Sequence, residues 1–137
     1  MISDPRYGWC RFKLGTFEGT PSYLTDVPVD LLDAFIDYHV KGCGTAWFDE
    51  EGSEFTLVLT PYRLFIIEKK DKPVLHDFSG IRMEDVEKEL ISDIETNLEE
   101  WLDFTGQRYE NKYTEGLMNK LEELKAYTER KQTDDNA

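Results

Sequence analysis

The chain has no long hydrophobic run. Its longest unbroken apolar stretch is Leu64 to Ile67, far short of the roughly 18 residues that carry a helix across a bilayer. A transmembrane helix is excluded on that ground. Cysteine is scarce: Cys10 and Cys43 sit among apolar or small neighbours and make no framework of the kind small secreted domains use. The opening residues Met1-Ile2-Ser3-Asp4-Pro5 supply neither the basic nor the apolar segment of a secretory signal. The expectation is a cytoplasmic protein with free thiols.

Positive charge is also in short supply. Against 29 acidic side chains stand 16 basic ones, a net charge of −13. Affinity for phosphate backbones and anionic lipid rests on Lys and Arg, so direct nucleic-acid and membrane binding are disfavoured and a basic protein is the favoured partner class. Enzyme signatures are missing too, with no Walker sequence, G-x-G-x-x-G, H-E-x-x-H or G-x-S-x-G. No cofactor is expected.

What is present suffices for a core. In 137 residues, 39% are hydrophobic and 13% aromatic, enough for one domain of common size. That domain is expected over residues 1–131, with a frayed polar tail at 132–137. Tyr7 to Leu14 alternates, placing Tyr7, Trp9, Arg11 and Lys13 on one side and Gly8, Cys10, Phe12 and Leu14 on the other, as in a half-buried strand. Thr16 to Thr20 follows as a short return strand. Thr25-Asp26 can cap a helix over Pro28 to Lys41, whose apolar side carries Leu31, Leu32, Phe35, Ile36, His39 and Val40 before Gly42 ends it.

Four β-prone runs come next: Thr45 to Asp49, Glu54 to Thr60, Tyr62 to Glu68 and Val74 to Phe78, separated by turn residues. An antiparallel meander is predicted, with Leu64 to Ile67 as a central strand covered on both faces. From Arg82 to Phe104, Met83, Val86, Leu90, Ile94, Leu98 and Trp101 recur at three and four, predicting one six-turn amphipathic helix. A last helical region spans Gln107 to Lys131, with Tyr109, Tyr113, Leu117, Leu121 and Leu124 on one stripe; Gly116 and Thr114 leave open whether it is one helix or two. The class is α+β: an antiparallel sheet of five or six strands, one early helix and a C-terminal helical pair packed against it.

Few residues are candidates for chemistry. His39 lies near its helix end, where an imidazole meets the last carbonyls. His76 alternates with Val74 and Phe78 and so faces the core or a cleft, where it needs a hydrogen-bond partner. A nucleophile would join Cys10 or Cys43 to His76 with Asp77 as orienter, but Asp77 points to the opposite side of its strand from His76. The acidic turn Asp49-Glu50-Glu51-Gly52-Ser53-Glu54 offers oxygen ligands without EF-hand spacing, so no metal site is expected. The cations and aromatics Tyr7, Trp9, Arg11 and Lys13 suit nucleic-acid stacking in type, yet four residues in an acidic chain are too few.

The predicted long helix is the most informative element. It holds nine acids against two bases, −7 of the −13, and most of them fall opposite the apolar stripe. Such an anionic ridge, represented by Glu95, Glu99, Glu100 and Asp103, attracts cationic partners. Glu87 differs, since it falls within the apolar arc, either serving the helix N-terminal region or facing a cleft. Two expectations follow. The first is a non-enzymatic interaction module of inhibitor or immunity type that caps a basic partner. The alternative is a small-ligand or enzymatic pocket between sheet and helices, built from His76, Glu87, Trp9 and Trp47.

Overall fold

The computed structural model describes residues 1–107 and 110–136, with side chains described through Arg130. In chain order the elements are β1 (Ile2–Arg6), β2 (Trp9–Leu14), β3 (Phe17–Gly19), α1 (Val27–Lys41), β4 (Gly44–Asp49), β5 (Glu54–Leu59), β6 (Leu64–Lys69), β7 (Pro73–Asp77), α2 (Met83–Thr96), α3 (Leu98–Asp103) and α4 (Asn111–Asn136). The α+β class stands, with corrections to its detail. Instead of one sheet of five or six strands there are two antiparallel sheets, β1-β2-β3 and β4-β5-β6-β7. The helical part after the sheets is α2, α3 and α4 rather than a pair.

The first sheet contains a strand the sequence pattern hides. β1 carries Ser3, Asp4 and Pro5, and its register against β2 shifts between Ser3 and Arg6, where Asp4 adopts a positive φ of 52°. Polar residues and a proline are tolerated because the strand is an edge interrupted by a bulge. Tyr7 and Gly8 form the two-residue turn into β2, so the strand predicted from Tyr7 begins at Trp9. From there the alternation holds: Cys10, Phe12 and Leu14 are buried, while Trp9, Arg11 and Lys13 face out.

The second sheet is the predicted meander, with continuous registers through Trp47, Thr56, Ile67 and Leu75. Its inner face carries Ala46, Phe48, Phe55, Leu57, Leu59, Leu64 and Ile66, all buried. Phe12 and Phe17 from the first sheet meet Phe48 and Phe55 from the second at ring-centroid separations from 5.0 to 5.9 Å, and this cluster welds the two sheets. Each such ring contributes about 1.5–3 kcal/mol by burial, and the tilted and edge-on geometries suit their quadrupoles. The expectation that β6 is covered on both faces is corrected: Phe65 and Ile67 point away from this core and remain partly or largely exposed.

α1 packs on β4 at close range. A Cβ on Gly44 would lie 2.0 Å from the Ala34 carbonyl oxygen, so only glycine lets helix and strand approach so nearly. The helix starts where Asp26 caps it, accepting from the Val29 amide at 3.4 Å, and ends at Gly42 in the left-handed region. α4 runs through Gly116 and Thr114 as one helix and lies against α1 and α2. Tyr109 and the tail beyond Arg130, as side chains, lie outside the described residues.

The predicted helix over Arg82–Phe104 is broken. Asn97 leaves helical geometry at φ −124° and ψ 41°, after Thr96, whose hydroxyl donates back to the Ser92 carbonyl at 2.7 Å. Thr and Asn are both weak helix formers. Beyond the break Trp101 is fully buried and its indole donates to the Asp93 carbonyl at 3.2 Å, serving the end of α2, where helices leave carbonyls unpaired. Among the described residues no helix is long and apolar enough to cross a membrane.

Candidate protein-docking site

The four residues of the expected pocket have separate partners. Glu87, 1% exposed, meets the His39 imidazole Nε2, and the His39 ring stacks on Tyr127 with centroids 4.9 Å apart and planes 2° from parallel. This knot joins α1, α2 and α4. It replaces the expected contact of His39 with the last carbonyls of its own helix. His76 instead sits beside Glu68, 3.2 Å from its Oε1, and against the Phe17 ring at 4.9 Å. Trp47 lies on the outer face of the second sheet, its indole donating to Glu54. Trp9 belongs to the first sheet, bridged to Ser22.

The nucleophile candidates fare similarly. Cys10 is buried, its thiol 3.7 Å from the Pro21 carbonyl, and burial pushes that thiol up to about 12, which keeps it protonated and unreactive at neutral pH. Cys43 is exposed. Asp77 pairs with Arg63 at 2.7 Å. In the acidic turn, Glu50 accepts from the Thr20 amide at 2.8 Å and from the Ser53 hydroxyl at 3.0 Å, so it ties the second sheet to the end of β3.

The anionic ridge is not one surface. Along α2 the carboxylates turn to the chain itself: Glu89 and Asp93 hold the Met1 ammonium, Asp93 at 2.8 Å while also accepting from the Ile2 amide at 3.0 Å, and Glu95 pairs with Lys125 at 3.1 Å. After the break at Asn97, α3 carries Glu99, Glu100 and Asp103 in a new direction. Glu100 and Asp103 line a cleft whose other wall is Pro5, Arg6, Tyr7 and Gly8, closed by Phe104. Two of the four carboxylates expected to bind a partner are thereby brought to the tip of the β1-β2 hairpin.

That tip is built in an unusual way. Tyr7 and Gly8 have φ of 56° and 79°, the double positive signature of a type I′ turn, which favours Asn-Gly. A tyrosine there costs about 1–2 kcal/mol relative to a residue suited to the left-handed region. Burial does not offset that cost, because Tyr7 is 99% exposed. The loop after β3 adds to the tip: the Tyr23 amide donates to the Gly8 carbonyl at 2.8 Å, and its ring covers Gly8 so closely that a Cβ there would lie 2.8 Å from Cδ1. Trp9, Tyr23 and Leu24 are all exposed beside it.

The result is a group of exposed aromatic and apolar side chains on a defined turn, beside a cleft lined by Glu100, Asp103 and Arg6. Ring faces attract cations, carboxylates accept charge-assisted hydrogen bonds from them, and tyrosine and tryptophan are the residues most enriched where binding energy concentrates. Sequence reasoning names Tyr7, Trp9, Glu100 and Asp103 in three different connections. It misses Tyr23 and Leu24, which lie in an aperiodic stretch. Gly8, a turn signal inside the apparent strand, was the clue to the hairpin. In comparisons with known proteins, the chain matches no family model, no curated protein and no solved structure at a significant level.

Proposed function

We propose that the protein is a non-enzymatic interaction module that holds a basic partner at the β1-β2 hairpin tip, as an inhibitor or immunity-type protein does. Tyr7 carries this reading. It is a fully exposed aromatic side chain fixed in a costly backbone conformation, next to a cleft edged by Glu100 and Asp103. Strain kept at an exposed position gives nothing to the isolated fold and fits a contact made elsewhere. The net charge of −13 supplies a long-range field that speeds encounter with a cationic surface, while the rings provide short-range contact.

The test compares quantitative capture from the source cell on immobilised wild type, Tyr7→Ala and Glu100→Lys. The expected result is one basic protein retained by the wild type, weakened at least tenfold by each substitution, and lost as salt rises toward about 0.5 M. A retained partner that is acidic, or that binds all three alike, overturns the reading.

A further inference from the structure

The outer face of the second sheet carries an apolar band and has no covering element among the described residues. α1 packs on β4 and β5 from the inner side, through its buried Leu31, Leu32 and Phe35. On the other side the register aligns Trp47, Thr56, Ile67 and Leu75 in one row across all four strands. Trp47 is 47% exposed, Ile67 40% and Leu75 63%. Val58 and Phe65 stand partly exposed in the next row.

The charges around this face identify its occupant. Lys69 pairs with Glu54 at 3.7 Å and Arg63 with Asp77 at 2.7 Å. Asp49 is left over, and it accepts from the Glu51 amide at 2.6 Å. In a chain of net charge −13, this region is therefore close to neutral. A basic partner finds little local charge to draw it here, and two copies bring no opposed charge cluster together at the contact, their overall repulsion being screened beyond about 8 Å at physiological salt. Four strands about 4.8 Å apart and about 20 Å long give a planar footprint of about 400 Å². Counted on both partners that is about 800 Å², below a standard interface and in the range of a weak, concentration-dependent contact.

We infer that this face pairs with the same face of a second copy, forming a two-fold symmetric dimer by sheet-on-sheet packing. Such sheets pack about 10 Å apart with strands within about 30° of alignment, and an isologous contact is self-complementary. With the axis along the strands between β5 and β6, Trp47 of one copy sits over Leu75 of the other. The Tyr7 turn belongs to the other sheet and contributes no residue to this face.

The mass of the full chain by sedimentation equilibrium, from about 1 to about 200 µM, tests this. The expected result is a concentration-dependent rise to twice the 16.1 kDa chain mass, persisting in about 0.5 M salt because the contact is apolar. Leu75→Lys and Ile67→Lys point away from the core and are expected to weaken dimerisation at least tenfold with unchanged circular dichroism, whereas Tyr7→Ala leaves it intact. A wild type monomeric throughout overturns the inference with no variant needed. So does a dimer that either lysine leaves unaltered, or one that salt alone dissolves.

Discussion

Tyr7 is a residue whose substitution should move stability and binding in opposite directions. Replacing it with asparagine gives the Asn-Gly pair that a type I′ turn favours. Tyr7→Asn is therefore expected to stabilise the fold by about 0.5–1 kcal/mol, seen as a higher urea midpoint, while weakening retention of the basic partner. A lower midpoint would mean that the Tyr7 side chain supports the fold and is not held there for contact. His39 and Glu87 are the opposite case, a pair shut inside the helices. Removing either leaves the other buried without its partner, so His39→Ala and Glu87→Ala are each expected to cost about 2–4 kcal/mol. The double variant should cost clearly less than the two losses added. Additive losses in urea denaturation would show that the contact carries no coupling. Glu87 was legible in the sequence as a charge in an apolar arc, but nothing local pointed to His39, 48 positions away.

At the scale of elements, regular alternation made β2 and the strands of the meander readable, because one face of each is buried against the core and the other is not. β1 was not, since its polar residues and proline reflect an edge position that only pairing defines. The break at Asn97 was hidden for another reason. Leu98 and Trp101 continue the spacing of Ile94, so the apolar stripe reads through a corner that Trp101 stabilises by donating to the Asp93 carbonyl. The first turns of α1 make a further element-level prediction. Burial first, then the neighbouring charges of Asp26 and Asp33, raise the Asp30 carboxyl to about 6. From α4, Tyr113 donates to Asp26 at 3.2 Å and Lys120 reaches Asp33, so no cation in these contacts is directed at Asp30. A carboxyl raised above its unfolded value of about 3.9 contributes stability that is full below about pH 4 and is lost as pH rises through about 6. Asp30→Asn is accordingly expected to narrow the fall in melting temperature between pH 4 and pH 8, with its advantage over the wild type greatest at pH 8. A wild-type difference unchanged by the substitution would place the titration elsewhere.

For the whole molecule, the sequence conveys how much charge there is but not what each charge faces. A helix-wheel view makes the acids from Glu84 to Asp103 one ridge. In the fold the α2 carboxylates Glu87, Glu89, Asp93 and Glu95 meet His39, the chain's own amino end and Lys125, and only the corner at Asn97 delivers Glu100 to the hairpin tip. The division into two sheets was equally illegible, because it depends on which strands pair across the intervening α1. The excess of acid nevertheless acts on the molecule as a whole. Exposed ion pairs such as Lys41 with Asp37 contribute little, while a net charge of −13 on one compact body repels itself. Screening should therefore relieve more repulsion than it removes attraction. Raising sodium chloride from about 0.02 to about 0.3 M shortens the Debye length from tens of ångströms to below about 10 Å, and the melting temperature at pH 8 is expected to rise. The same change should weaken the basic partner's hold on the hairpin tip and leave the apolar sheet face able to pair. A melting temperature that falls with salt would show that internal pairs such as Asp93 with the amino end outweigh the net repulsion.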